Sequence, residues 1–281
     1  MRNNLLEIST LWVGGDLSWL EKLSLLSWKH SGNVTRLYSY ETISVPNGVL
    51  ASDASSIVPR DQVFQNPGNP SFAGFSNVFR YHLMKKKPME IWVDTDMLAG
   101  PSPLRPDDYI FGFENRVVIN GAIFRAPHDS TLISELVQES EKIDKEAFRW
   151  GELGPKLVTK SIQQSNLQDL AREKSVFYEV EALEAWKFFS SDHVEEIRWR
   201  TQQSEGIHIW NEALKLAKFP VRQRRPQVGS FLADELEKHG VWPTELPEIS
   251  PEELRRWRRN CISQSFRNRI YNLGTAVGLF Q

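Results

Sequence analysis

The stretch Met89–Glu90–Ile91–Trp92–Val93–Asp94–Thr95–Asp96 decides the fold. Its first half has the pattern of a short buried strand, and two aspartates separated by one residue follow at once. An extended chain does not bring two such carboxylates to one point, so they converge only if the chain turns where the strand ends. The carboxyl edge of an α/β sheet is where such folds bind ligands, so the stretch predicts a ligand site at a sheet edge.

The segments before this stretch predict an α/β sheet. Four large apolar residues share one face of a predicted helix over 71–87, which Pro88 ends. Nearer the N-terminus, a strand at 11–13, a helix over 17–30 and a strand at 34–40 are predicted. This β-loop-α-β order is typical of an α/β fold.

The other elements are predicted from shorter patterns. The predicted strands are 109–113, 117–124 and 177–180, and the predicted helices are a short one near 51–58, then 129–146, 156–164, 230–239 and 251–271. After Pro220, prolines punctuate a charged sequence. The sequence therefore predicts a main domain over 1–220 and a helical C-terminal extension over 221–281.

Composition narrows the class of protein. The 281 residues are 40% hydrophobic and 25% charged, an ordinary globular balance, and the net charge of −2 gives no global attraction for nucleic acid. Cys261 is the only cysteine, which excludes an internal disulfide and fits a reducing compartment. No apolar run is long enough to span a bilayer, and residues 1–10 lack the apolar core of a signal peptide, so a cytoplasmic location is expected.

The aspartate pair predicts a divalent cation. Two carboxylates held together repel each other, and a cation removes that cost while it bridges phosphate oxygens. Mg²⁺ or Mn²⁺ suits such oxygen ligands. The alternative is a simple turn, in which aspartate is common.

Six ordered motifs together resemble the DXD-containing, sugar-binding glycosyltransferases. That family includes α-1,4-galactosyltransferases, yeast outer-chain α-mannosyltransferases and bacterial capsule and lipopolysaccharide enzymes. The motifs are Leu11–Trp12–Val13–Gly14–Gly15, the segment 71–81 ending in Arg80–Tyr81, Asp94–Thr95–Asp96, Ile119–Asn120–Gly121–Ala122–Ile123, Gly154–Pro155 and Ile207–His208–Ile209–Trp210.

The resemblance implies a GT-A fold, with a mixed central sheet flanked by helices in a catalytic domain over 1–220. The nucleotide-binding half is expected at about 1–100 and the acceptor half at about 101–220. The implied activity is retaining, Mn²⁺-type transfer of a hexose from a nucleotide-sugar, with UDP-hexose favoured and GDP-mannose second. The acceptor would be a saccharide or glycolipid hydroxyl in cell-surface polysaccharide or lipopolysaccharide synthesis.

The resemblance also implies roles for single residues. Asp94 and Asp96 are expected to hold the metal and the donor, with Asp96 as the direct ligand. His208 is expected to complete the metal shell, although a core histidine would read the same way. Arg80 is expected to bind the donor or, alternatively, to form a structural ion pair. Asn120 is expected to contact the transferred sugar or to occupy a strand edge.

Three residues of the opening loop, Trp12, Val13 and Gly14, are expected to lie against the nucleotide. Asn77, also expected at the donor, departs from the family, which commonly has aspartate there, so the charge is lost while an acceptor oxygen remains. Glu114 could touch the acceptor. The favoured mechanism is attack of the acceptor hydroxyl on the sugar from the face that the diphosphate leaves. A covalent intermediate on a carboxylate is the alternative.

Arginines gather around Trp257 near the C-terminus, at 255, 256, 258 and 259. A basic amphipathic helix there would give peripheral contact with an anionic membrane, and the alternative is a solvated helix packed on its domain.

Two rival functions also remain open. A haloacid-dehalogenase-like phosphatase shares the strand and Asp-x-Asp, although its motif normally lies near the N-terminus, and a catalytically idle sugar-nucleotide-binding protein would bind without turnover.

Overall fold

The computed structural model describes residues 5–68 and 71–261. The chain forms two compact units, of which the first runs up to Glu179 and includes Gln202–His208. The second contains Val180–Thr201 and the chain from Ile209 onward. The predicted boundary at residue 220 divides the chain by composition rather than by compactness, and it stays a prediction.

The first unit is built on a mixed sheet. Its strands are β1 (Glu7–Trp12), β2 (Val34–Ser39), β3 (Leu50–Asp53), β4 (Glu90–Val93), β5 (Met97–Ala99), β6 (Ile110–Phe113), β7 (Ile119–Arg125) and β8 (Gly206–His208). Within the described residues, six strands form one sheet in the order β3-β2-β1-β4-β7-β6, and β5 pairs with β8 in a second, two-stranded sheet.

Strand direction fixes which ends meet at one edge of the larger sheet. Strands β3, β2, β1 and β4 are parallel, β7 is antiparallel to β4, and β6 is antiparallel to β7. The C-terminal ends of β1, β4 and β6 and the N-terminal end of β7 therefore share one edge. Ser9 pairs with Trp92, so Leu11 is level with Asp94 at that edge.

Helices flank both faces of this sheet. They are α1 (Trp19–His30), α2 (Ala73–Lys86), α3 (Thr131–Lys142), α4 (Pro155–Gln164) and the single turn α5 (Lys174–Phe177). Leu25 of α1 packs with Leu37 on one face, and Phe79 of α2 packs with Trp92 in a larger cluster on the other. This arrangement confirms the predicted α/β fold with a mixed central sheet flanked by helices.

Local sequence explains where the two main helices begin and end. A capping box starts α1, in which the Ser18 hydroxyl accepts from backbone N–H groups and the Glu21 carboxylate accepts from the Ser18 N–H. Helix α2 carries Lys85 and Lys86 in its last turn, where cations are stabilised by the helix dipole. Pro88 follows, as the sequence predicted.

Three secondary-structure predictions need correction. The predicted strand at 177–180 is wrong, because α5 ends at Phe177 and no described strand follows until β8. The predicted helix near 51–58 is instead the edge strand β3 followed by one 3₁₀ turn, Ala54–Ser56. The helix predicted over 129–146 is shorter, because Ser130 caps α3 and the helix ends at Lys142.

The second unit is helical over its described residues. It contains a 3₁₀ segment, Ala182–Phe189, a shorter 3₁₀ turn at Ser191–His193, and the helices α6 (Val194–Thr201), α7 (Asn211–Leu216) and α8 (Phe231–His239). Residues 251–261 are also helical, and the rest of the predicted helix, 262–271, lies outside the described residues. None of the described helices has the length and apolar character needed to cross a bilayer.

The basic segment near the C-terminus has its apolar side buried. Leu254, Trp257 and Cys261 are almost fully buried, and the Trp257 ring lies 4.4 Å from that of Phe219. The four arginines on either side of Trp257 are exposed. Over 251–261, therefore, the large apolar side chains face the protein, and insertion of an apolar face into a membrane has no support there.

Candidate metal and donor site

The chain turns at the aspartate pair. The Asp94 N–H donates to the Ala122 carbonyl at 2.7 Å, which extends the pairing of β4 with β7 by one residue. The Asp94 carbonyl then accepts from the Met97 N–H at 3.0 Å, which closes a turn over residues 94–97. This turn is the condition under which the two carboxylates can converge.

Strand pairing brings a histidine to the same place. Met97 pairs with His208 in the antiparallel ladder of β5 and β8, so the imidazole comes to lie beside Asp96. His208 Nε2 is 3.4 Å from Asp96 Oδ1. One ligand atom each of Asp94, Asp96 and His208 lies within 4.8 Å of the others. The structure thus unites two neighbouring residues with a third more than a hundred positions later.

Helix α1 holds strand β5 in place. The Ser24 hydroxyl and the Trp28 indole N–H both donate to the Met97 carbonyl at 2.8 Å, and the Ser27 hydroxyl accepts from the Ala99 N–H at 3.0 Å. These side chains are buried, so the bonds are shielded from water. The strand that follows Asp96 directly is therefore fixed by side chains that the sequence analysis did not single out.

Arg80 supports Asp94 from inside the protein. Its guanidinium donates to the Gly121 carbonyl and to Asn77 Oδ1, and Nη1 lies 3.7 Å from Asp94 Oδ1. A Cβ at Gly121 would lie 2.9 Å from Arg80 Nη1, so glycine permits this close approach. Only 3% of the Arg80 side chain is exposed, and the expected direct contact with a donor stays a prediction.

Asn77 and the Gly-Pro turn form part of the same support. The Asn77 amide donates to the Ala73 carbonyl at 2.8 Å while its oxygen accepts from Arg80. A Cβ at Gly154 would lie 2.9 Å from the Asn77 amide nitrogen, and Pro155 starts α4 immediately afterwards. Asn77 therefore positions Arg80, and its expected donor contact stays a prediction.

Burial and neighbouring charges act on the Asp94 carboxyl in opposite directions. Removal from water raises the pKa of the Asp94 carboxyl, the Arg80 guanidinium lowers it, and the neighbouring Asp96 raises it again. The net shift of the Asp94 pKa is upward. Trp92 offsets part of the upward shift of the Asp94 pKa, because its indole N–H donates to Asp94 Oδ1 at 2.6 Å.

Burial lowers the pKa of His208, but the nearby carboxylates of Asp96 and Asp94 outweigh burial, and the net shift is upward. Two carboxylates and an imidazole held this close together form a site that a divalent cation stabilises.

Tyr178 and Asn120 close the side of the site next to β7. The Tyr178 hydroxyl donates to the Asn120 carbonyl at 3.3 Å, and its ring meets the His208 ring edge-on, with centroids 5.7 Å apart. The Asn120 side chain donates to Glu114 Oε2 at 2.9 Å and accepts from the Ala122 N–H at 2.8 Å. Sequence reasoning missed Tyr178, which no motif or spacing marked.

The opening loop lies at the same sheet edge. Trp12 ends β1, its indole N–H donates to the Gly15 carbonyl at 2.7 Å, and Val13 packs against the larger core cluster. Gly14 has φ +123°, and nothing lies within 4 Å of the place where its Cβ would be. The register of β1 with β4 thus brings this loop beside the aspartate turn, and contact with a nucleotide stays a prediction.

Comparison with known proteins gives one family match. Residues 128–233 match the alpha 1,4-glycosyltransferase conserved region. The matched residues include His208 but not Asp94 or Asp96, so the match and the aspartate motif are independent observations. No curated protein matches the chain. Among solved structures, the PaToxG glycosyltransferase is similar at 12% identity with a TM-score of 0.42, over 87% of each chain, and no conclusion rests on that likeness.

The match also bears on the phosphatase that the sequence left open, whereas the catalytically idle binding protein stays an alternative. A phosphatase of the haloacid-dehalogenase kind would use Asp94 as a nucleophile. Such a phosphatase is not expected to contain a glycosyltransferase conserved region. The same region supplies the histidine that β8 brings to the aspartate pair. The family match contains the histidine that joins the aspartate pair, and on these two observations the chain is a glycosyltransferase.

Proposed function

We propose that the chain is a metal-dependent, retaining hexosyltransferase whose donor is a nucleotide-sugar. The observation that carries the proposal is the convergence of Asp94, Asp96 and His208 on one point at the carboxyl edge of parallel strands. Such an edge is where α/β folds hold nucleotides. Two carboxylate oxygens and one imidazole nitrogen fit Mn²⁺ better than Mg²⁺, because Mg²⁺ prefers oxygen ligands alone.

When bound there, a divalent cation would act as a Lewis acid that stabilises the negative charge of the departing nucleoside diphosphate. The protein's own contribution is to hold the ligands in place. Arg80 and Trp92 both fix Asp94, and the pairing of β5 with β8 fixes His208 against Asp96. Fixed ligands spare the site the cost of reorganisation during the reaction.

The direction of the donor follows from the strand order. The opening loop after β1 lies on one side of β4, and β7 and β6 lie on the other. A nucleotide over Gly14, where the backbone carries no side chain, would place its diphosphate at the aspartates and its sugar toward β7. UDP-hexose is the favoured donor and GDP-mannose the second, with a saccharide or glycolipid hydroxyl as acceptor.

The biological setting is part of the same proposal. The expected role is synthesis of cell-surface polysaccharide or lipopolysaccharide. The expected location is the cytoplasm, with the arginines of 251–261 near an anionic membrane. The exposed arginines support electrostatic contact only, since the apolar side of that segment is buried.

The test is binding and hydrolysis of donors. UDP-glucose, UDP-galactose, UDP-N-acetylglucosamine and GDP-mannose are each added with Mn²⁺, with Mg²⁺ or with a chelator, and the melting temperature and the release of nucleoside diphosphate are measured. We expect at least one donor to raise the melting temperature and to be hydrolysed slowly with Mn²⁺ alone. Absence of any metal-dependent shift with all four donors would reject the proposal.

A further inference from the structure

A third carboxylate, that of Glu114, lies at the edge of the sheet that carries the aspartate turn. It follows Phe113, the last residue of β6, and β6 runs in the same direction as β4. Asn120 near the start of β7 lies between them, since β7 is the strand between β4 and β6. Glu114 is therefore on the side of the aspartates away from the β1 loop.

The Glu114 carboxylate is held in place but its charge is not neutralised. Asn120 donates to Oε2 at 2.9 Å, and the Glu114 N–H donates to the Val118 carbonyl at 2.9 Å. Among the described residues, Glu114 forms no ion pair with a lysine, arginine or histidine. Its partner Asn120 accepts through its carbonyl from the Tyr178 hydroxyl, and the Tyr178 ring meets that of His208, so the carboxylate lies two contacts from a metal ligand.

Two ordinary roles do not account for this carboxylate. A metal ligand would belong to the converging group, but that group contains Asp94, Asp96 and His208 without Glu114. A purely structural acceptor for the Asn120 amide would need no charge, since a neutral side-chain carbonyl accepts the same hydrogen bond. The charged carboxylate therefore leaves acceptor oxygens at this edge of the sheet that a bound molecule can use.

We propose that the Glu114 carboxylate accepts a hydrogen bond from a hydroxyl group of a bound saccharide. A carboxylate forms short, strong hydrogen bonds with hydroxyl groups, and a half-buried carboxylate fixed by Asn120 is oriented before the sugar arrives. This inference rests on the proposed function, because that function brings sugars to this side of the aspartates. The hydroxyl belongs either to the transferred hexose or to the acceptor.

Glu114→Gln is the main variant, since glutamine keeps the shape and an acceptor oxygen but removes the charge. The matched control is Glu146→Gln, an exposed glutamate of the same unit for which no side-chain partner is described. Both variants are compared with the wild type for melting temperature, Mn²⁺ affinity, affinity for UDP and GDP, donor hydrolysis, and transfer to p-nitrophenyl glucoside and galactoside.

The two sources of the hydroxyl give different results. If it belongs to the transferred hexose, Glu114→Gln weakens binding and hydrolysis of the sugar nucleotide about 10- to 100-fold and leaves UDP or GDP affinity unchanged. If it belongs to the acceptor, hydrolysis is unchanged and transfer to the glycoside falls by the same factor, mainly through KM. Either pattern, with Glu146→Gln equal to the wild type, supports the inference.

Other patterns overturn it. Equal activity of Glu114→Gln and the wild type in both assays shows that the charge binds no saccharide. A parallel loss of Mn²⁺ affinity shows that Glu114 serves the metal instead. Glu114→Asp guards against a misfolded variant, because it keeps the charge on a shorter side chain and should lower the same kinetic parameter less severely. A wild type that hydrolyses no donor would be a failure of the proposed function, not of the role of Glu114.

Discussion

Strand β4 has an acidic group at each end, and the two ends behave differently. Glu90 begins the strand and is 4% exposed, yet it accepts from the Ser9 and Tyr38 hydroxyls and lies 3.6 Å from Arg36 Nε. Asp94 follows the other end and faces Asp96, with Arg80 as its near cation. Glu90 is therefore satisfied by the fold, whereas Asp94 and Asp96 face each other and repel.

The difference separates a structural carboxylate from a functional one. A buried charge that is paired and hydrogen-bonded needs nothing further, and its removal harms only stability. Two carboxylates that face each other repel, and a cation bound between them relieves that repulsion. Substitutions at the two ends of β4 should therefore have opposite effects on stability and on metal binding.

The largest effect is expected for Asp96→Asn. The amide keeps the shape of the side chain but removes the charge that a divalent ion needs. Because substitution of residues that merely orient a metal ligand already weakens metal binding about 10- to 100-fold, loss of a direct ligand should cost on the order of 100-fold or more in Mn²⁺ affinity and in donor hydrolysis. Calorimetric titration with Mn²⁺ measures this, and an affinity within tenfold of the wild type would contradict the assignment of Asp96.

Glu90→Gln should show the reverse pattern. Loss of the charge leaves Arg36 without its buried partner, and we expect unfolding to become easier by about 2 kcal/mol. Urea denaturation measures the change, while Mn²⁺ affinity of the folded protein should stay within about twofold of the wild type. If Mn²⁺ binding fell as much as stability, the two ends of β4 would not be separable.

The sequence predicted the aspartates at the end of β4 but not the residues that surround them in the fold. A strand followed by Asp-x-Asp is a local pattern, so Asp94, Asp96 and the need for a turn followed from neighbouring residues. His208 was expected only through the family resemblance, because its approach depends on the pairing of β5 with β8 across more than a hundred residues. Pairing between distant strands has no local signal.

The wrong prediction of a strand at 177–180 has a related cause. Phe177, Tyr178 and Val180 are all buried, so the run is apolar for the same reason that a core strand is apolar. Its backbone forms the end of α5 and an irregular segment, in which Tyr178 is directed to Asn120 and His208. A short apolar run reports burial and not backbone conformation, which is why an important neighbour of the site was misassigned.

A smaller effect is expected for Trp92→Phe, which removes the hydrogen bond to Asp94 Oδ1 and keeps most of the apolar ring. Without that donor, Asp94 is less well oriented, and Mn²⁺ affinity should fall about tenfold. Phe79→Leu is the matched control, because the Phe79 ring packs 6.2 Å from the Trp92 ring without a polar contact. The control should lower the melting temperature without altering Mn²⁺ affinity, and equal losses in both variants would assign the effect to packing.

The smallest effect is expected for Asn77→Asp, which restores the residue common in the family. Aspartate would still accept from Arg80 but could no longer donate to the Ala73 carbonyl, so a stronger ion pair is offset by a lost hydrogen bond. Stability should change by less than about 1 kcal/mol, and Mn²⁺ affinity by less than about threefold, because Asn77 acts on Asp94 only through Arg80. Donor hydrolysis at saturating Mn²⁺ is the decisive measurement. A rise of tenfold or more would mean that residue 77 touches the donor itself, and the site would then extend from the aspartate turn along α2.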